Sequence, residues 1–222
     1  MIDTNLSISQ GHNRNPSATK LRWCTPRPLF VAVDRRFGFG LDAAAEKATA
    51  LCQNYLSRGE NDCLTTSWGA RCLPNRLGER WAWFNPPWGP RYTVCAPGCT
   101  SKVCARRGWH HLDSFPGTVA FTRRAILKAQ ARHGAREALD GVVVLVPTAS
   151  DTIWWRELFT AASEVRLLPR ISFCDADTGI AAPSPPGGGC SLFTIAARRA
   201  PRPVVYLADE LGEIAHGQEV MR

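Results

Sequence analysis

The chain has 222 residues, of which 45% are hydrophobic and 21% charged. That suffices for one domain with a real core, and it excludes a small disulfide scaffold, an acidic disordered chain and a coiled coil. No stretch reaches the roughly 18 consecutive apolar residues of a membrane span, and the N-terminal MIDTNLSISQGHNRNPSATK lacks the apolar core of a secretory signal. The expectation is a cytoplasmic protein with no membrane partner.

The formal net charge is +8, and the cations are 23 arginines against 4 lysines. Between residues 91 and 136 nine basic residues stand against the single acid Asp113, a local charge of +8, while the remainder carries 18 of each sign. Guanidinium forks suit phosphate, so this concentration predicts a surface facing a polyanion. The plainer alternative is a solvated helix face. Nine cysteines without a secretory signal point to thiols or metal ligands in preference to disulfides.

In chain order, residues 1–20 are polar and aperiodic and read as a loose arm. Residues 21–199 read as one domain. Residues 37–42 predict a short buried strand ending in Asp42, followed by a helix carrying Ala44, Ala48, Leu51, Cys52 and Tyr55 at 3.6 spacing. Residues 80–84 (RWAWF) predict a second strand, stopped by Asn85-Pro86-Pro87 because consecutive prolines cannot donate ladder hydrogen bonds. Residues 89–118 change to Cys, Gly, Pro, Arg and His and read as an insertion. A basic helix over 119–133 follows, with Phe121, Ala125 and Ala129 on one face, then a continuous apolar strand at 141–146 that Pro147 ends. Ser150 or Asp151 can cap a helix bearing Trp154, Trp155, Leu158, Phe159 and Ala162. Strands are expected at 165–168, 171–173 and 191–197, a Pro/Gly loop at 183–189, and a tail over 200–222. Apolar strands alternating with amphipathic helices predict an α/β fold, a three-layer sandwich with binding residues at the carboxyl ends of its strands.

The sharpest chemical signal is Asn85-Pro86-Pro87-Trp88 directly after a hydrophobic strand. Two prolines fix the backbone so that the Asn85 side chain and the Pro86 carbonyl offer two acceptors to one amino group, while the Trp88 ring covers a planar substrate. An exocyclic amine on a base is a poor nucleophile. Accepting both its hydrogens favours pyramidal nitrogen and stabilises the positive charge that develops as nitrogen attacks a methyl carbon. The alternative is a proline-terminated edge strand with an aromatic cover. Asp42 and Asp62 read equally well as turn acids or helix caps, and the Trp154-Trp155 pair reads as core packing.

The second signal is Cys95-x3-Cys99-x4-Cys104-x5-His110, with His111 adjacent. Three thiols and an imidazole are a tetrahedral zinc set, and a Gly/Pro-rich segment without a core is the kind of piece a metal folds. His111, Cys72 and Cys63 are substitute ligands, and reduced thiols in a surface loop are the alternative. A four-ligand zinc is structural, since no position stays open for a reacting water. The neighbouring Lys102, Arg106 and Arg107, with Arg91, Arg123, Arg124 and Arg132, are the candidate phosphate contacts.

One ordered series spans residues 22–199. It comprises Trp23-Cys24-Thr25-Pro26 with Leu29-Phe30; FGFGLDAA at 37–44; Asp62-Cys63-Leu64 with Trp68; and Asn85-Pro86-Pro87-Trp88. It continues with VLVP at 144–147, Asp151-Thr152, Trp154-Trp155, Glu164-Val165-Arg166, Arg170 with Phe173, and Pro183 before Ser191. The series resembles the phage-type DNA adenine-N6 methyltransferases of the Dam family, within the class I S-adenosylmethionine-dependent methyltransferases. The resemblance implies a Rossmann-like fold with a mixed, mostly parallel sheet. It implies that Thr25 and Pro26 cradle the methionine end of S-adenosylmethionine, that Asp42, Ala43 and Asn85 lie beside that cofactor, and that Asp62 approaches its adenine. Asn85, Pro86, Pro87 and Trp88 match the tetrad that holds a flipped base, with Trp88 where the family usually has Tyr. Asp42-Ala43-Ala44-Ala45 lacks the glycines of a standard cofactor loop.

The expectation is methylation of adenine N6 in double-stranded DNA, with the 89–118 insertion facing DNA, by a phage- or prophage-encoded enzyme of the bacterial cytoplasm in a restriction-modification setting. Methylation of cytosine N4 or of a protein glutamine amide uses the same tetrad. A non-catalytic zinc-containing nucleic-acid-binding protein on this scaffold is the reading from another class.

Overall fold

The computed structural model describes residues 23–59, 61–111, 113–131, 138–175, 188–198 and 202–207. The elements in chain order are β1 (Trp23–Cys24), α1 (Arg27–Phe37), β2 (Phe39–Asp42), β3 (Trp81–Phe84), α2 (Lys102–Arg107) and α3 (Thr118–Ala129). Then come β4 (Gly141–Pro147), α4 (Ile153–Ala161), β5 (Glu164–Leu168), β6 (Cys174–Asp175), β7 (Cys190–Ala196) and β8 (Val204–Leu207). Six strands form one sheet in the order β2-β3-β4-β7-β5-β8, and β1 pairs with β6 in a separate antiparallel ribbon. β2, β3 and β4 are parallel, as are β5 and β8, and β7 runs antiparallel to both β4 and β5. Five of the six strands therefore point the same way, the mixed and largely parallel α/β sheet the sequence predicts.

The strand period of two explains the layers. Val142, Val144 and Val146 of β4, with Ala82 and Phe84 of β3, pack with Phe121 and Ala125 of α3 and Trp155 and Leu158 of α4. The intervening Val143 and Leu145, with Trp83, pack with Leu29, Phe30, Val33 and Phe37 of α1. Helices thus cover both faces. Each such valine or leucine withdrawn from water contributes about 1.5–3 kcal/mol, which is why the apolar β4 sits at the centre. Glu164 ties the layers together: it accepts two hydrogen bonds from Arg36 of α1 (2.8 and 2.7 Å) and one from Arg166 Nε (2.7 Å).

The helix expected after Asp42 does not form. Residues 43–53 make turns, and Tyr55 lies beside Asp42 in a parallel bridge. The Asp42 and Leu56 amides bond to the Asn54 and Asp42 carbonyls, and the Asp42 carboxylate accepts from Leu51 and Ala44 N–H. The free edge of β2 and a buried acid compete for the amides a helix would use, and they win. Ile171 and Phe173 are fully buried, but pairing starts only at Cys174, so the strand expected at 171–173 is a packed loop leading into β6. Within the expected tail, β8 adds an edge strand beside β5. The loose arm at 1–20, residues 183–187 of the expected loop, and Arg132 and Arg136 lie outside the described residues, while Gly189 at the end of that loop accepts from Thr148 N–H (2.9 Å). Among the described residues no helix is long and apolar enough to cross a membrane.

Candidate active site

Because β2 and β3 are parallel, and pair again at Leu41–Ala82 and Asp42–Trp83 after a register shift at Gly40, their carboxyl ends leave the sheet together. Asp42 pairs with Trp83, and the Ala43 amide donates to the Trp83 carbonyl (2.9 Å). Asp42-Ala43 and Asn85 therefore emerge at the same rim. The third contributor is β1: its pairing with β6 carries Trp23 to the rim, where the Trp23 carbonyl accepts a hydrogen bond from Asn85 Nδ2 (3.3 Å). Just beyond β1, Thr25 is buried, and the Pro26 carbonyl accepts the first bond of α1 from Phe30 N–H (3.1 Å).

That contact sets the orientation of the Asn85 amide. A carbonyl only accepts, so the amide nitrogen must face Trp23, which turns Oδ1 the other way without a donor among the described residues. Asn85 and Pro86 are buried, and the chain leaves β3 without a cis peptide. Trp88 behaves differently from the expected open cover. Its ring is 6% exposed and stands edge-on to Phe173 (4.9 Å) and Trp23 (5.7 Å), while Trp23 stacks on Phe173 (5.8 Å, 12°). In this arrangement the Trp88 ring is closed in by its neighbours and is not open to a planar substrate. The indole N–H groups of Trp23, Trp83 and Trp88 are buried with no partner among the described residues. Leaving a buried donor unpaired costs about 1–3 kcal/mol, and the Trp23 and Trp88 donors share one aromatic cluster beside Asn85.

Asp42 is 3% exposed. Burial raises its pKa from 3.8 to about 6, against the opposing pull of the Leu51 and Ala44 amides. At neutral pH it is ionised, and a carboxylate has about four acceptor positions, so the two it uses leave capacity for a ligand hydroxyl or amine. Asp62 organises a turn: its Oδ1 accepts from Leu64 N–H (2.7 Å) and its carbonyl from the Thr65 and Thr66 amides.

Two of the proposed phosphate contacts are engaged within the protein. Arg123 makes a forked pair with Glu157 across α3 and α4 (2.9 and 2.7 Å), and Arg124 donates to the Cys63 and Thr66 carbonyls of the Asp62 turn. Arg91, Lys102, Arg106 and Arg107 stand exposed on the insertion. Arg107 lies over the Trp109 ring and within 2.9 Å of His111 Nε2.

The insertion rises from the tetrad on a two-stranded neck. Gly89 and Thr118 are joined by their backbones and the threonine hydroxyl, Tyr92 and Phe115 exchange both backbone bonds, and Cys95 N–H donates to the His111 carbonyl. Gly117, at φ 84°, closes the base where a Cβ would meet Arg91 N at 2.8 Å. At the tip, Cys95, Cys99, Cys104 and His110 bring their ligand atoms within 4.8 Å of one another. Cys63 and Cys72 lie in the main core instead, and the His111 ring stacks on Tyr92 (3.8 Å).

Trp23 and Phe173 meet at the site, although residue type by itself assigns neither a role there. Their signal is their place in the ordered motifs; the Trp23 carbonyl, being backbone, leaves none.

A comparison with curated proteins finds no match. A family model, DNA N-6-adenine-methyltransferase (Dam), matches residues 12–216, which include the site, the insertion and most of the chain. The chain belongs to the Dam family of DNA N6-adenine methyltransferases.

Proposed function

We propose that the protein transfers the methyl group of S-adenosylmethionine to the N6 amino group of adenine in double-stranded DNA. The observation that carries this reading is the Asn85 amide, turned by the Trp23 carbonyl so that Oδ1 is left as an acceptor beside Pro86. The residues at the rim suit the methyl donor: a buried ionised acid with spare acceptor capacity and a buried Thr25. S-adenosylmethionine supplies an electrophilic methyl group when bound. Asp42 would accept from its hydroxyl or amino groups, with Thr25, Pro26 and Ala43 lining its binding site and Asp62 at its adenine end.

The target adenine leaves the stack before its N6 meets the tetrad. Asn85 Oδ1 and the Pro86 carbonyl then accept the two amino hydrogens. They favour a pyramidal nitrogen whose lone pair leaves the ring, and they stabilise the charge that develops on it. Pro87 holds the turn, and Trp88 with Phe173 and Trp23 supplies an aromatic wall from which water is excluded. Exposed Arg91, Lys102, Arg106 and Arg107 contact phosphates and position the duplex. Cytosine N4 and a glutamine amide offer the same amino geometry; the family match and the cationic insertion favour adenine in DNA. The enzyme would be encoded by a phage or prophage and work in the cytoplasm of a bacterial host.

The Asn85→Ala variant tests the reading. It should abolish methyl incorporation into DNA while leaving salt-sensitive DNA binding in place. Methylation that survives in the variant would refute the assigned role of Asn85.

A further inference from the structure

We propose that Cys95, Cys99, Cys104 and His110 bind one zinc ion, and that this ion folds the insertion and fixes the basic helix α2. The sulfur positions carry the argument. Cys104 Sγ lies 3.6 Å from Cys95 Sγ and 3.9 Å from Cys99 Sγ. A tetrahedron with zinc–sulfur arms of about 2.3 Å has edges of about 3.8 Å, so the two edges at Cys104 match it, and all four ligand atoms lie within 4.8 Å of one another. A disulfide would need the sulfurs about 2.05 Å apart, and no pair approaches that.

The backbone holds the ligand loop in place: the His111 amide donates to Cys95 Sγ (3.4 Å). Three thiolates on a divalent ion leave one net negative charge, next to Lys102, Arg106 and Arg107. The fourth ligand is His110, because His111 is already committed: its ring stacks on Tyr92, and its Nε2 accepts from Arg107.

The segment has nothing else to fold around. Between residues 95 and 111 the single buried residue is Cys104, and α2 is only six residues long. A helix of that length is unstable by itself, and with no apolar core the ordering must come from metal ligation. With four protein ligands the ion is closed to a reacting water, so it takes no chemical part in any transfer.

Metal analysis of the purified full-length chain tests the site independently of any methylation assay, so its failure and that of the proposed activity are told apart. One zinc per chain is expected, lost in Cys104→Ser, weakened in His110→Ala and retained in His111→Ala. Should Cys104→Ser fail to fold, a thiol-blocking reagent on the native protein should release the zinc to a chromogenic chelator. Replacement by cobalt should give the intense visible bands of a tetrahedral thiolate site. Folded protein that neither contains nor takes up zinc, an octahedral cobalt spectrum, or metal lost with His111 and kept without His110 overturns the proposal.

Discussion

Replacing Asp42 with asparagine isolates the cost of keeping a charge at the tip of β2. Its folded pKa is about 6 against an ordinary 3.8, with burial as the cause. At 1.36 kcal/mol per unit, the ionised side chain costs the fold about 3 kcal/mol. The sign follows from the direction of the shift. A raised carboxyl binds its proton more tightly when folded, so its contribution is greatest below pH 4 and declines as pH rises through 6. Asparagine does not titrate, but its Nδ2 must face one of the two amides that Asp42 accepts, a donor against a donor costing about 1–3 kcal/mol at every pH. Urea unfolding of both proteins, followed by tryptophan fluorescence from pH 4 to 8, should show the native-minus-variant difference falling by about 2.4 kcal/mol, most of it below pH 6. A constant difference across the range refutes the reasoning. If the carboxylate also meets the methyl donor, donor affinity should weaken by about tenfold per pH unit below 6, and only in the native protein.

Gly40→Ala should unfold the protein or cost more than about 3 kcal/mol, because its Cβ would lie 1.8 Å from the Leu73 carbonyl oxygen. Gly78→Ala, at φ 80° in open space, should cost only about 1–2 kcal/mol in the same urea unfolding. In Glu164→Gln the loss should be about 1–2 kcal/mol at pH 7, since Arg36 is half exposed and partly screened. Burial raises the Glu164 carboxyl, but Arg36 and Arg166 outweigh it and hold it below its ordinary value, so the pairing's contribution is lost as pH falls through that lowered value. If Arg91, Lys102, Arg106 and Arg107 each neutralise one phosphate, DNA affinity should fall roughly 150-fold between 50 and 200 mM salt. Removing Lys102 and Arg106 together should halve the logarithmic slope in a fluorescence anisotropy titration.

The strongest elements were legible because one physical term dominates them. The run at 141–146 is apolar on both faces and could only be a buried strand, and Asn85-Pro86-Pro87 ends β3 by lacking amide donors. The Cys/His spacing marked four residues that the fold gathers at one point. The 44–55 pattern failed because apolar spacing cannot register a buried carboxylate capturing the Leu51 and Ala44 amides. α1 went unread although Leu29, Phe30, Val33 and Phe37 keep helical spacing, since Pro26 and Pro28 look like breakers yet are compatible with a first helical turn. Charge counting gave Arg123 and Arg124 the same weight as Lys102 and Arg106, whereas Glu157 and two carbonyls occupy the first pair. β1 and β6 pair over two residues each, too short for any period, and so the Trp23 carbonyl behind Asn85 was invisible.

The central claim is methyl transfer to adenine N6, and nucleoside mass spectrometry tests it most directly. Unmethylated duplex DNA incubated with the protein and S-adenosylmethionine should yield N6-methyl-2′-deoxyadenosine from the native chain and none from Asn85→Ala. Methylated cytosine in place of adenine, or unmodified DNA from a folded preparation that binds both DNA and the methyl donor, would contradict the account.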